Sequence, residues 1–247
     1  MKSVLVTGCN RGIGLGLIRH LVREKNPPAH LIATCRSVEK AKDLQQIASE
    51  NNNVHLLELD VRDFDQYDAF SKKVESIVGQ DGLNVLFNNA GVSSKFTRIQ
   101  LVKHEQMLEA FKVNTIAPVM LTKALFPLLK RASEKNPSKP VGAERAIIVN
   151  TTSVLGSIAL NSDGGLYPYR CSKSALNMAT KSLSVDFQKD GILVIGLHPG
   201  WVKTDMGGSK APLDVDTSIT GILQVLENVN ESHNGGVYQH DGQRLEW

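Results

Sequence analysis

A tyrosine and a lysine four residues apart form the part of this sequence best suited to acid–base chemistry. The stretch YPYRCSK contains Tyr167, Tyr169 and Lys173. Successive residues of an α-helix are rotated by about 100°, so Tyr169 and Lys173 share one face while Tyr167 points elsewhere. An ammonium group beside a phenol favours the phenolate and lowers the phenol's pKa from its usual value of about 10. Tyr169 is therefore the candidate proton donor or acceptor. Tyr167, at or before the helix start, is expected to line a pocket or to pack.

A serine in another segment supports this interpretation, which YxxxK alone does not establish because the pattern also arises by chance in amphipathic helices. Ser153 follows the strand-like stretch AIIVNTT. A hydroxyl at the carboxyl end of a strand can hydrogen-bond a substrate oxygen and stabilise charge that develops on it. Thr152 and Ser157 are alternatives, and a helix cap or turn is the structural explanation for each. These groups suit a reaction in which hydride transfer to a carbonyl leaves an alkoxide that needs a proton.

A glycine-rich turn near the start of the chain is the candidate site for a hydride carrier. The strand-like stretch SVLVT runs into TGCNRGIG, and a helix-period stretch follows. Such glycines let the backbone approach a diphosphate, and the helix N-terminus attracts its charge. The spacing GxxxGxG differs from the usual GxGxxG, and glycines also serve plain turns, but the position after the first strand favours a dinucleotide. The candidate contacts in this turn are Gly8, Asn10, Arg11, Gly12, Ile13 and Gly14.

Two arginines indicate which dinucleotide binds. An acidic residue after the second strand would hold both ribose hydroxyls of NAD. Here the strand-like stretch LIATC is followed by Arg36, and Arg11 adds a second cation in the glycine turn. Guanidinium groups suit the 2′-phosphate of NADP through charge-assisted hydrogen bonds. Ordinary surface arginines, and hence NAD, are the alternative. We predict NADP(H) as the cofactor.

The candidate residues lie on alternating strands and helices. VHLLEL, NVLFNNAG, AIIVNTTS and LVIGLHPG are further strand-like stretches, and helix-period residues recur within 65–78, 104–132, 169–188 and 218–229. Pro118 and Pro127 are expected to bend the long region at 104–132 or to mark its ends. Repeated strand–helix units predict an α/β fold with helices on both faces of a sheet. We expect one Rossmann domain over residues 1–247, with a doubly wound, mostly parallel, seven-stranded sheet.

Composition narrows the classes of partner and compartment. The chain has 28 Lys and Arg against 25 Asp and Glu, so its net charge of +3 favours neither nucleic acid nor an anionic membrane. Three cysteines without a CxxC pair favour a reducing compartment, and no apolar run approaches transmembrane length. We expect a cytoplasmic protein that does not bind membranes. His198 and His240 lack a metal-like constellation, so no metal is expected.

The ordered set of motifs resembles the short-chain dehydrogenase/reductase family along nearly the whole chain. The set comprises TGxxxGxG, Asp60-Val61, NNAG at 88–91, Asn114, Ser153, YxxxK, and PGWVKT at 199–204. TGCNRGIGLGL, YRCSKSALN and DGQRLEW are most similar to the sniffer-type carbonyl reductases of that family. The resemblance implies a catalytic group of Asn114, Ser153, Tyr169 and Lys173, in which Asn114 helps to hold a water that relays protons to Lys173.

The resemblance also implies cofactor contacts beyond the glycine turn and Arg36. These are Asp60 and Val61 at the adenine, Asn88, Ala90 and Gly91 along the cofactor, Tyr169 and Lys173 at the ribose end, and Pro199, Val202 and Thr204 at the nicotinamide. Asn89 is expected to tie strands together instead. Relatives often form homodimers through two long helices, here those around 105–130 and 169–188.

One departure from the family pattern concerns the catalytic serine. Ser153 lies sixteen residues before Tyr169, a longer spacing than is usual, and the added residues fall in ALNSDGGLYP. The leading prediction is an NADPH-dependent reductase of a small carbonyl compound such as a quinone, aldehyde or ketone. Two alternatives stay open: an NAD-linked alcohol or hydroxysteroid dehydrogenase, and a non-catalytic dinucleotide sensor.

Overall fold

The computed structural model describes residues 1–94 and 98–247. The strands in these ranges are β1 Ser3–Val6, β2 His30–Cys35, β3 Val54–Glu58, β4 Val85–Asn88, β5 Ile147–Thr151, β6 Leu193–His198, β7 Val237–Gln239 and β8 Arg244–Leu245. The helices are α1 Gly12–Leu21, α2 Lys42–Glu50, α3 Tyr67–Val78, α4 His104–Phe111, α5 Ala117–Lys135, α6 Tyr167–Asp186 and α7 Val215–Asn228. None of these helices combines the length and apolarity that crossing a bilayer requires.

The strands form one sheet in the order β3-β2-β1-β4-β5-β6-β7-β8, and every neighbouring pair is parallel except β7 and β8. The order reverses at β1, between β2 and β4, and ligands of such sheets bind outside the carboxyl ends of strands at that point. The expected mostly parallel Rossmann sheet is confirmed, but it has eight strands, not seven. The extra strand, β8, has two residues and pairs through Val237 and Leu245, so no apolar run in the sequence marks it.

Two apolar clusters lie on opposite faces of the sheet. Alternate residues of β5 divide between them: Ile147 and Val149 face the cluster that contains residues of α1 and α7. Ile148 faces the cluster with residues of α3 and α5. This alternation follows from the period of two in a strand. It confirms helices on both faces and leaves the carboxyl edge of the sheet to loops.

A π-helical turn interrupts the long helical region predicted at 104–132. It spans Lys112–Ile116, between α4 and α5. Pro118 lies in the first turn of α5, as a residue without an N–H prefers, whereas Pro127 lies inside the helix. Insertions of this kind are frequent at functional sites, and Asn114 lies at the centre of this one.

Candidate active site

The hydroxyl groups of Ser153 and Tyr169 meet beyond the carboxyl end of β5. Ser153 is extended and its Oγ accepts a hydrogen bond of 3.1 Å from the Leu155 amide, so it caps a short helical turn. The same side chain is close enough to Tyr169 for a hydrogen-bonding interaction that lowers the pKa of the phenol. Capping uses a lone pair of Oγ and leaves its hydrogen for another partner, so the cap and the catalytic interpretation are compatible. The longer spacing between the two residues is accommodated by the loop that separates them.

Burial, and not Lys173, dominates the pKa of Tyr169. Removal from water raises the pKa of the phenol, and the hydrogen bond with Ser153 opposes that rise. The expectation that Lys173 lowers this pKa is therefore wrong for this structure. A neutral phenol at neutral pH keeps the proton that reduction of a carbonyl requires.

Lys173 is buried next to Tyr169 on the same face of α6. Its side chain is 3% exposed, and Nζ lies 5.7 Å from the ring centre of Tyr169. Nζ donates a hydrogen bond of 2.7 Å to the main-chain oxygen of Thr151, the last residue of β5. Burial lowers the pKa of Lys173 to about 8. The predicted face-sharing pair is confirmed, and Tyr167, the first residue of α6, is more exposed and outside the pair.

Asn114 is held beside Lys173 by three hydrogen bonds. Its Oδ1 accepts from the Val92 amide over 2.9 Å, and its Nδ2 donates to the Val92 oxygen over 2.9 Å and to Ser172 Oγ over 3.0 Å. Gly91 keeps the intervening space clear. A Cβ there would lie 3.3 Å from Asn114 Oδ1 and 3.8 Å from Lys173 Nζ. Asn114, which by sequence alone resembles an ordinary polar residue inside a helix, thus lies near Lys173.

The glycine turn leaves its main chain accessible at the start of α1. Gly8 and Gly12 have φ angles of 72° and 57°, a region that favours glycine. A Cβ at Gly14 would collide with the main-chain oxygen of Gly8. Asn89 donates from Nδ2 to the Thr7 oxygen over 2.8 Å, which confirms its expected structural role. Asn10 and Ile13 lie in the same turn, exposed and half-buried respectively.

The two arginines predicted to meet a 2′-phosphate have different surroundings. Arg36 is exposed and immediately follows β2, at the carboxyl edge of the sheet. Arg11 forms an ion pair of 2.6 Å with Asp205, a partner 194 residues away. Thr204 also approaches the glycine turn, because its Cγ2 would lie 3.4 Å from a Cβ at Gly12. Arg11 thus joins the glycine turn to the segment that follows β6.

The predicted adenine contacts lie beyond β3. Asp60 accepts hydrogen bonds of 2.9 and 2.5 Å from Nε and a terminal nitrogen of Arg62, and these bonds hold the pKa of its carboxyl below the usual range. The main-chain oxygen of Val61 accepts from the hydroxyl of Tyr67. Val61 also borders a small cavity with Ala90 and Asn88. Val61, which follows β3, and Ala90, which follows β4, therefore meet at this cavity.

The side chain of Asn88 has a structural role. Its Nδ2 donates to Asn150 Oδ1 over 2.9 Å, and Asn150 in turn donates to Thr180 on α6. All three residues are buried. Because its side chain is engaged in this way, Asn88 is left with its main chain for the expected contact with the cofactor.

The segment after β6 is tied down at several points. The Pro199 oxygen accepts from Ser218 on α7 over 2.6 Å, and Val202 forms a parallel bridge with Leu213. Thr204 Oγ1 accepts from the Gly207 amide. The predicted nicotinamide residues therefore lie on an anchored loop next to the glycine turn.

Sequence reasoning did not single out three residues that contact the candidate site: Thr151, Ser172 and Asp205. Thr151 contacts Lys173 through its main-chain oxygen, so the type of its side chain could not have indicated this contact. Asp205 becomes relevant only through a contact across the fold. Ser172 could have been identified from its position. It lies between Tyr169 and Lys173, and its side chain faces the buried side of the helix.

His198, at the end of β6, is also buried near this group. Burial lowers its pKa to about 4, with smaller effects of the same sign from His240 and Lys173. His198 is therefore neutral at physiological pH. Within residues 1–94 and 98–247, no group of three or more His, Cys, Asp or Glu side chains is arranged to hold a metal ion.

Comparison with known proteins agrees with this geometry. The family profile described as short chain dehydrogenase matches residues 2–213. The structure of the carbonyl reductase Sniffer of D. melanogaster is 52% identical, with a TM-score of 0.99 and full coverage of both chains. The NADPH-bound carbonyl reductase from chicken fatty liver is 40% identical, with a TM-score of 0.94 over 100% of this chain and 99% of that one. The C-signal protein of Myxococcus xanthus is 39% identical over 67% of this chain and 93% of its own. The chain belongs to the short chain dehydrogenase family.

Proposed function

We propose that the protein is an NADPH-dependent carbonyl reductase whose substrate is a quinone, aldehyde or ketone, with Tyr169 as the proton donor. One observation carries the proposal: Lys173 Nζ lies 5.7 Å from the ring centre of Tyr169 at the carboxyl edge of the sheet, and Ser153 is close enough to interact with the same phenol. A perturbed, buried acid–base group in such a place is a typical catalytic constellation.

The residues of the glycine turn fit a dinucleotide. Gly14 packs so closely on Gly8 that no side chain fits between them, which leaves main-chain N–H groups for a diphosphate. Exposed Arg36 suits a 2′-phosphate, and the similarity to a carbonyl reductase solved with NADPH supports the same choice. When bound, NADPH supplies the hydride.

The protein's own residues supply orientation and protons. Ser153 donates to the carbonyl oxygen and stabilises its developing charge. Tyr169 gives its proton to that oxygen, and Lys173 restores the proton to the phenolate. Asn114 holds the water through which Lys173 regains a proton from solvent.

A homodimer in the cytoplasm is part of the same proposal. Leu108 on α4, with Met178 and Val185 on α6, are large apolar side chains exposed to 67%, 66% and 60%. Met178 and Val185 are seven residues apart, so they lie on one face of α6. Exposed apolar side chains on two neighbouring helices suit a second copy of the chain. Free thiols at Cys9, Cys35 and Cys171 suit a reducing compartment.

The decisive experiment follows NADPH consumption by absorbance with a panel of quinones, aldehydes and ketones. NADH and the variants Tyr169→Phe and Tyr167→Phe are assayed in parallel. We expect turnover with NADPH, far weaker turnover with NADH, a loss of at least about 100-fold in Tyr169→Phe and little change in Tyr167→Phe.

Two other outcomes would favour the alternatives. A preference for NADH would mean that Arg36 is an ordinary surface residue that does not bind a 2′-phosphate. It would favour an NAD-linked dehydrogenase. NADPH binding without turnover across the panel would contradict the reductase and favour a dinucleotide sensor.

A further inference from the structure

Ser172 connects the π-helical turn to the catalytic helix. It lies between Tyr169 and Lys173 on α6 and is fully buried. Its hydroxyl donates a hydrogen bond of 2.8 Å to the main-chain oxygen of Tyr169. Because the only hydroxyl hydrogen is used in that bond, Oγ must accept from any further partner. That partner is Asn114, whose Nδ2 donates to Oγ over 3.0 Å.

The hydrogen bonds of Asn114 divide into two roles. The main-chain N–H of Val92 donates to Oδ1 of Asn114, and the main-chain oxygen of Val92 accepts from Nδ2. Together these two bonds fix the orientation of the Asn114 side-chain amide. Ser172 uses the second hydrogen of Nδ2 and is the side-chain link from Asn114 to α6. Both amide hydrogens are then satisfied, and Oδ1 keeps one lone pair for another donor.

A second contact joins the same two segments. Thr115, the residue after Asn114, donates from Oγ1 to the main-chain oxygen of Ser172 over 2.8 Å. The π-helical turn is thus docked on α6 at Ser172, one residue before Lys173. Gly91 keeps the space between Asn114 and Lys173 clear. The Ser172 hydroxyl is thus the side-chain contact between the Asn114 amide and the helix that carries Lys173.

We infer that Ser172 is a positioning residue for proton delivery: its hydroxyl holds the Asn114 amide at a set distance from Lys173. This inference rests on the proposed function. In each reduction the Tyr169 O–H bond breaks and its proton joins the alkoxide. An N–H proton of Lys173 then restores the phenol, and the water held by Asn114 returns a proton to Lys173. One proton from solvent is consumed for each hydride transferred.

Two matched variants isolate the contact. Ser172→Ala removes both the bond to the Tyr169 oxygen and the bond from Asn114. Ser184→Ala, the control, removes a similar bond of 2.7 Å from a buried serine of α6 to the oxygen three residues earlier, Lys181. The variants therefore share the loss of a local helix bond, and only Ser172→Ala loses the link to Asn114.

We expect kcat to fall about tenfold in Ser172→Ala, less than the full contribution of a general acid, while KM and NADPH affinity stay near their wild-type values. The ratio of kcat in H₂O to kcat in D₂O should rise, because proton delivery becomes slower relative to the other steps. Ser184→Ala should match the wild type in both measurements. Ser172→Cys, which keeps a weak donor and acceptor, should lie between the wild type and Ser172→Ala.

Hydrogen exchange at Val92 tests the geometry without turnover. Its amide donates to Asn114 Oδ1, so a loosened Asn114 should speed its exchange in Ser172→Ala and not in Ser184→Ala. Unchanged Val92 exchange overturns the inference, as does an unchanged isotope ratio. A wild-type protein without turnover would defeat the proposed function, and Val92 exchange would still decide whether Ser172 positions Asn114. Melting temperatures identify a variant that has lost its fold, in which case Ser172→Cys decides.

Discussion

The side-chain nitrogen of Lys173 donates a hydrogen bond of 2.7 Å to the main-chain oxygen of Thr151. The bond ties α6, which carries Tyr169, to β5, which leads into Ser153. The bond also keeps the amino group of Lys173 in a position that solvent barely reaches, where burial lowers its pKa to about 8. The proposed catalytic role of Lys173 therefore comes at a cost to the free energy of folding.

Replacing Lys173 with methionine should stabilise the fold at pH 7 and abolish turnover. The change in pKa from 10.5 to about 8 corresponds to about 3 kcal/mol of unfavourable burial, and loss of the Thr151 bond offsets about 1 kcal/mol. Between pH 8 and 10.5 the unfolded wild-type chain binds more protons than the folded one, so wild-type stability rises with pH. The advantage of Lys173→Met should shrink over that range.

Denaturant unfolding at several pH values measures this effect. Lys181→Met is the control, because Lys181 lies on the same helix but is exposed. A Lys173→Met variant that is less stable than the wild type at pH 7, or whose difference from it does not vary with pH, would show that burial of Lys173 is not costly.

Replacing Asp205 with asparagine should strengthen NADPH binding. Arg11 and Asp205 form an exposed ion pair, with side chains 66% and 71% exposed, and such pairs are weak. Loss of the pair would free Arg11 for a 2′-phosphate, so we expect NADPH to bind up to about fivefold more tightly and NADH to bind unchanged. Fluorescence titration of both cofactors measures the change.

The matched control is Asp43→Asn, which removes the partner of Arg19 in another exposed ion pair of α1. It should leave both affinities unchanged. Weaker NADPH binding in Asp205→Asn would instead mean that Asp205 holds Arg11 in its binding position.

Replacing Gly14 with alanine should weaken dinucleotide binding and destabilise the fold. The added methyl group would meet the main-chain oxygen of Gly8 and, at 2.8 Å, Nδ2 of Asn89, so the turn must move. Overpacking of this kind typically lowers the free energy of unfolding by about 1–3 kcal/mol. Thermal unfolding with and without NADPH separates the two effects, since a bound ligand raises the melting temperature.

Gly164→Ala provides the comparison for Gly14→Ala. A Cβ at Gly164 meets nothing within 4 Å, although its φ of 64° makes any substitution mildly strained. We expect a small loss of stability and an undiminished response to NADPH. An undiminished response in Gly14→Ala as well would exclude the glycine turn as the diphosphate site.

Replacing Met178 with glutamate should dissociate the proposed dimer. A carboxylate at the centre of an apolar contact between two copies is left without a partner and opposes association. Sedimentation velocity should show a dimer for the wild type and a monomer for Met178→Glu. Met206→Glu is the control, because Met206 is also exposed but lies in the loop after β6. A monomeric wild type would contradict the proposal directly.

Local patterns in the sequence determined the main elements of the fold and the candidate acid–base pair. Alternation of apolar strands with helix-period segments predicted the parallel sheet, and helix geometry alone placed Tyr169 and Lys173 on one face. The glycine turn could also be predicted from the sequence, because its conformation depends on residues that are close together in the chain. The seven residues DGQRLEW, 241–247, have no comparable apolar pattern, and the two-residue strand within them was therefore missed.

Contacts between distant segments were decided only by the tertiary structure. The order of the strands places the loop that carries Ser153 next to α6. Burial, and not Lys173, has the largest effect on the pKa of Tyr169. The π-helical turn places Asn114 within hydrogen-bonding distance of Ser172. The pairing of Arg11 with Asp205 likewise spans nearly the whole chain. Residue types and spacing encode helix faces and turns, whereas desolvation and cross-chain hydrogen bonds exist only once the segments have packed.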